Sequence, residues 1–194
     1  MMAKSNEMDQ QGRPEEAIQC LRRITEIAPD DPMTFHVLYL MGMSYQNLGL
    51  HQDAIECFRR STNLRPDWVD SWAFMGCSFE DIGLPAEAIS CFDRVLSLQP
   101  ENTLAMCSKA GQLASQERFD EALGVVDRAL VLDPDMQWGL RTKGRILASI
   151  GRDAEAVTCL SRAVEIDPED IMALACCGRA LLRTDRPVEA IACY

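Results

Sequence analysis

Apolar residues between Trp72 and Pro100 fall into two sets instead of one stripe. Trp72, Met75, Gly76 and Phe79 recur at spacings of three and four, which places them on one face of a helix. Ile82 and Gly83 break that register. Ala88, Ile89, Phe92, Val95 and Leu96 then begin a second stripe, and Pro100, which cannot continue a helix, stops it. The pattern predicts two helices joined by a tight turn, each with one apolar face. Two such faces cover each other only in part, so the unit needs neighbours.

Those neighbours are in the chain itself. Ala54, Ala88, Ala122, Ala156 and Ala190 are spaced 34 residues apart, and Pro66, Pro100, Pro134 and Pro168 keep the same step. Ala17 and Pro29 precede their counterparts by 37 residues, which places three extra residues around Asp30–Met33. Further columns are Gly42, Gly76, Ala110, Gly144 and Gly178; Leu38, Trp72, Met106, Leu140 and Leu174; and Tyr45, Phe79, Leu113, Leu147 and Leu181. The small residues of the first helix are expected to face those of the second, so that the two axes approach closely. Pro14, Pro85 and Pro187 suit the first turn of a second helix, where the missing N–H costs nothing. Gly49, Gly83 and Gly151 suit the end of a first helix, where a left-handed residue is needed; Glu117 and Asp185 stand there in two copies, making less favourable turns.

The period and the pattern of Trp72, Met75, Gly76, Phe79, Ala88, Phe92 and Pro100 resemble the tetratricopeptide repeat family over nearly the whole chain. The resemblance implies an all-α fold, an α-solenoid in which antiparallel helix pairs form a right-handed superhelix. The columns divide residues 1–194 into a single array. It begins with a partial repeat at 1–34, continues with full repeats at 35–68, 69–102, 103–136 and 137–170, and ends with a truncated repeat at 171–194. Residues 3–10 carry little apolar pattern beyond Met8 and are expected to form a frayed helix. The last repeat stops at Tyr194 without a polar capping helix, which motivates two alternatives: a regulatory or targeting piece of a larger enzyme, or an array that self-associates through its uncapped end.

Charge narrows the partners. Nineteen Lys and Arg against 30 Asp and Glu give a net charge of −11, which disfavours nucleic acid. No apolar run approaches the roughly 20 residues that span a bilayer, and the polar start lacks a signal-peptide core, so the chain reads as cytoplasmic. Nine cysteines without a CxxC pair make a poor disulfide or zinc framework. Cys20, Cys57, Cys91, Cys159 and Cys193 share one repeat column, where small, half-buried packing is expected of them. The two histidines, His36 and His51, stand in no nucleophile–base, phosphate-loop or metalloprotease motif. The sequence therefore predicts no catalytic residues, no metal and no cofactor.

What remains is binding. The resemblance implies a concave groove lined by first helices, and the helical period selects the positions off the column face. Tyr39, Leu40, Met43, Phe74 and Cys77 are the expected groove residues of the first half, an apolar anchor for a peptide or helix. Trp138, Arg141, Arg145, Arg179 and Arg183 are those of the second half, and arginine forks suit acidic groups. The plainer alternative is that these arginines pair with local acids such as Asp153 or Glu155. Family members that bind chaperones hold a terminal carboxylate with a lysine–asparagine clamp. Arg141 and Arg145 followed by Cys176, with Tyr39 and Met43 earlier, do not reproduce it. The expectation is a scaffold that binds a protein or peptide partner with acidic groups.

Overall fold

A computed structural model of the chain describes residues 14–28 and 31–194. The frayed helix expected over residues 3–10, with Met8, lies outside them, as do Pro29 and the start of the three-residue insertion. At the end of that insertion the Asp31 carboxylate accepts from the Met33 N–H at 2.7 Å and so shapes the turn into the next helix.

The described residues form α-helices and no strand. They separate into two compact units that divide between Pro100 and Glu101. In the first unit lie α1 (Pro14–Ile27), α2 (Thr34–Asn47), α3 (His51–Leu64), α4 (Val69–Asp81) and α5 (Pro85–Leu98). In the second lie α6 (Thr103–Ser115), α7 (Phe119–Leu132), α8 (Gln137–Ser149), α9 (Asp153–Ile166), α10 (Ile171–Arg183) and α11 (Pro187–Ala192). Within each unit the even-numbered first helices pack on the second helices that flank them in sequence and, more lightly, on one another. This is the all-α solenoid arrangement of helix pairs.

The turns follow the chemistry of their residues. Gly49, Gly83 and Gly151 end first helices with φ of 70°, 72° and 78°. Glu117 and Asp185 take the same left-handed conformation, φ 60° and 57°, at a cost of about 1 kcal/mol each relative to glycine. α5 and α11 carry Pro85 and Pro187 in their first turns. Asn102 caps α6 by accepting from the Ala105 N–H at 2.9 Å.

One packing expectation is corrected. The small column of the first helices does not make its closest approach to the alanine column. A Cβ placed on Gly42 would lie 2.5 Å from the Phe58 ring, one on Gly76 2.8 Å from Phe92, one on Gly144 2.5 Å from Leu160 and one on Gly178 2.7 Å from Tyr194. Phe58, Phe92, Leu160 and Tyr194 stand one helical turn after the alanines. In the first three pairs the glycine is a socket for a large buried side chain, and the alanine, fully buried beside it, lets that side chain reach in, whereas Tyr194 lies against Gly178 with 73% of its surface exposed.

Each unit has its own apolar core. In the first, Ile18, Leu21, Met41, Tyr45, Phe58 and Met75 pack together. In the second, Leu147, Leu160, Leu181 and Cys177 do so. The thiol column contributes to packing as expected: burial pushes Cys57 up to about 11 and Cys91 up to about 12, so both stay neutral thiols at physiological pH.

Candidate functional site

The first helices of the first unit present an aromatic cluster. Phe35, His36 and Tyr39 lie along one side of α2, because residues three and four apart share a face. Tyr39 packs against His36, Trp68, Phe58 and Phe74, with ring centroids 5.9, 6.2, 6.1 and 5.7 Å away. Phe74 stacks on Phe58 at 6.1 Å, and Met43 lies half-buried against the same core. Burial, helped by the Asp70 charge, pushes the Tyr39 hydroxyl up to about 12. Cys77 is half-buried, and burial together with Glu80 and Asp81 raises its thiol to about 11.

Leu40 is a correction. The helical pattern puts it on an open groove face, yet it is only 8% exposed and belongs to the core. A first helix in this arrangement is covered by its own partner helix and by its neighbours, so the open strip is narrower than a single-face helical pattern assumes.

The second unit is built differently. α8 and α10 lie side by side, and the ends of both, with the turn before α9, enclose a hollow of about 500 Å³. Arg145 from α8 and Arg179 and Arg183 from α10 line it, together with Ser149, Cys176 and Asp153. Their spacing explains the convergence: Arg145 and Ser149, like Arg179 and Arg183, are four apart and share a helix face. A second hollow of about 210 Å³ lies between α6 and α8, lined by Gly111, Ala114, Ser115, Thr142, Ile146 and again Arg145. Arg145 stands between the two.

The arginines are not equivalent. Arg183 donates to the Ala148 carbonyl at 3.0 Å and pairs with Asp153 at 3.4 Å. Among the described residues Arg179 donates only to the soft Cys176 sulfur, at 3.5 Å. Among the described residues the Arg145 guanidinium meets no acceptor. The plainer expectation therefore applies to Arg183 through Asp153, whereas Glu155 pairs with Arg152 at 2.6 Å.

Arg141 lies apart from the hollow. It binds Asp170 at 2.6 Å, and Asp170 also accepts from Gln137 and from the Met172 and Ala173 N–H groups, so it caps α10. Burial pulls the Asp170 carboxyl up, but the Ala173 N–H and the Arg141 charge outweigh it and hold the carboxyl below its usual value. The sequence reading does not single out this carboxylate. The available signal is an Asp directly before the apolar run Ile171–Leu174, a helix-capping position. Trp138, also expected in the groove, is half-buried and does not line either hollow. Among the described residues no three His, Cys, Asp or Glu side chains converge as a metal ion would need.

Helix pairs on a 34-residue period define a repeat scaffold of the protein-interaction class. The chain belongs to the tetratricopeptide repeat family, whose signature matches residues 9–67, 75–137 and 142–170. A tetratricopeptide repeat protein from Parabacteroides merdae ATCC 43184 is similar in structure, with a TM-score of 0.87 at 14% identity over 99% of this chain and 75% of that one. YrrB, a TPR protein with an unusual peptide-binding site, gives a TM-score of 0.72 at 20% identity over 88% and 86%. TTC0263, a thermophilic TPR protein in Thermus thermophilus, gives 0.71 at 20% identity over 93% and 97%. No curated protein sequence matches the chain significantly. No helix among the described residues is long and apolar enough to cross a membrane.

Proposed function

We propose that this chain is a non-catalytic adaptor that holds an extended peptide on its first-helix face, anchored through acidic groups at the hollow between α8 and α10. The observation that carries this reading is the convergence of Arg145, Arg179 and Arg183 on one hollow, with a single carboxylate, Asp153, to answer them. On a chain of net charge −11 such a concentration of guanidinium groups is a local inversion of the field, and it draws acidic ligands selectively. A peptide-binding site in YrrB, a protein of the same fold, is in keeping with it. The half-buried rings of Tyr39 and Phe74 and the Met43 and Cys77 side chains offer the first unit a smaller apolar contact.

The test is affinity capture followed by mass spectrometry with wild type and an Arg145→Glu, Arg179→Glu double variant. Partners retained by wild type are expected to be lost from the variant. Unchanged capture of every partner would sink the reading. Arg141 is unsuitable for this test because its loss disturbs the α10 cap.

A second reading, self-association, is favoured by the apolar surface of α10, α11 and the residues after it, where Ile171, Val188, Ile191 and Tyr194 are each more than two-thirds exposed. Light scattering over a concentration series decides it: a monomer at all concentrations eliminates self-association.

A further inference from the structure

We infer that the group held in the α8–α10 hollow is a phosphate monoester, the phosphorylated Ser or Thr side chain of a bound peptide. This rests on the adaptor reading above and narrows it. Three guanidinium groups face one carboxylate in the hollow, leaving two positive charges to be met. A phosphorylated side chain carries between about one and a half and two negative charges at neutral pH, and one carboxylate supplies only one.

Donor geometry points the same way. Arg183 is engaged by Asp153 and by the Ala148 carbonyl. The forks left for a ligand are those of Arg145 on α8 and Arg179 on α10, two neighbouring helices. A planar carboxylate satisfies one fork bidentately. A tetrahedral phosphate has three terminal oxygens and so accepts from two forks that arrive from different walls. The Ser149 hydroxyl lines the same hollow; it donates to the Arg145 carbonyl at 3.0 Å and can rotate to donate to a ligand instead. A volume of about 500 Å³ admits the phosphate with its side chain and flanking backbone. The adjoining hollow of about 210 Å³, reached past Arg145, is lined by Ile146 and otherwise mainly by small residues, and suits a small apolar side chain next to the phosphorylated one. A nucleic-acid backbone carries the same phosphate chemistry, but a chain of net charge −11 repels a polyanion over its whole length, whereas a single phosphate meets only the local field.

The probes are three fluorescein-labelled peptides that differ at one position, Gly-Ala-X-Ala-Gly with X phosphoserine, glutamate or serine, and a single-stranded oligouridylate. Fluorescence anisotropy with the full chain reads their affinities. The phosphoserine peptide is expected to bind about tenfold more tightly than the glutamate peptide, with serine weaker still. Arg145→Ala and Arg179→Ala, checked for unchanged helicity by circular dichroism, are each expected to lose about tenfold. Because the second phosphate ionisation lies near pH 6, affinity for the phosphoserine peptide should fall several-fold between about pH 7.5 and pH 5.5, and that for the glutamate peptide should not. Equal binding of the phosphoserine and glutamate peptides, both lost in the arginine variants, overturns the phosphate assignment and leaves the acidic-anchor reading standing. Binding that ignores both arginine variants, or no binding of any peptide, overturns both. An oligouridylate bound as tightly as the phosphoserine peptide overturns the peptide as the source of the phosphate.

Discussion

The first-helix faces of the two units serve opposite purposes. Tyr39 in α2 and Phe74 in α4 meet the rings of Phe58 and of each other, and the face is largely spent on cohesion. At the equivalent stretch of α8 and α10, Arg145 and Arg179 stand where Met43 and Cys77 stand earlier. Guanidinium groups repel one another and keep their hydration, so they cannot close the space between two helices as rings do. The result is a hollow instead of a cluster. Repeat geometry fixes the position of a residue; its chemistry decides whether that position stabilises the fold or stays available to a ligand.

The largest expected effect tests that division directly. Phe58 is fully buried, fills the Gly42 socket and touches both Tyr39 and Phe74. Phe58→Ala should lower the stability measured by urea unfolding by about 3–5 kcal/mol. Arg145→Ala, which removes an exposed guanidinium with no acceptor among the described residues, should stay within about 0.5 kcal/mol. A comparable loss in both would mean that the arginines are structural, and the contrast between the faces would fail.

An intermediate effect is expected where one arginine of the second unit does act structurally. Removing Arg141 leaves the Asp170 side chain, 7% exposed, with its capping N–H groups but without its countercharge. Arg141→Ala should cost about 1–2 kcal/mol, less than breaking a fully buried pair, because the Arg141 side chain keeps 24% of its surface in solvent. The pH dependence follows from the direction of the Asp170 shift. Its folded value is held below the ordinary 3.8, so the interaction contributes fully above that value and is lost as pH falls through the lower folded one. The stability gap between wild type and Arg141→Ala should therefore narrow in acid. A gap that is constant down to the acid transition would mean that Arg141 acts through packing alone.

These residues also mark what was legible in the sequence. The period, the turn glycines, the two left-handed acids Glu117 and Asp185 and the arginine-bearing positions Arg145, Arg179 and Arg183 all follow from local rules, because each concerns one helix or one turn. Leu40 escapes those rules because a helix wheel assigns one buried face, whereas α2 is covered from more than one direction. The Gly42–Phe58 socket and the Arg141–Asp170 pair join different helices. Their sequence separations of 16 and 29 place them beyond helical periodicity, and only the register between helices decides them. The structural role of Arg141 is hidden from the sequence for that reason, whereas the Asp170 cap is local and has its signal in an Asp directly before an apolar run.

The smallest expected effect asks how closed the aromatic face is. Burial, with the Asp70 charge second, carries the Tyr39 hydroxyl from the ordinary 10.0 to about 12. Ultraviolet titration should therefore contain a late-ionising tyrosine that disappears in Tyr39→Phe. A folded value raised above the unfolded one means that the neutral hydroxyl contributes stability fully below about pH 10, and that this contribution is lost as pH rises through about 12. Wild type should thus lose slightly more stability than Tyr39→Phe over that alkaline interval. If Tyr39 instead ionises near the ordinary 10.0, water reaches the face between α2 and α4. The first unit would then offer an open apolar surface much like the groove that its sequence suggests, and the contrast with the arginine hollow would be one of chemistry alone and no longer one of access.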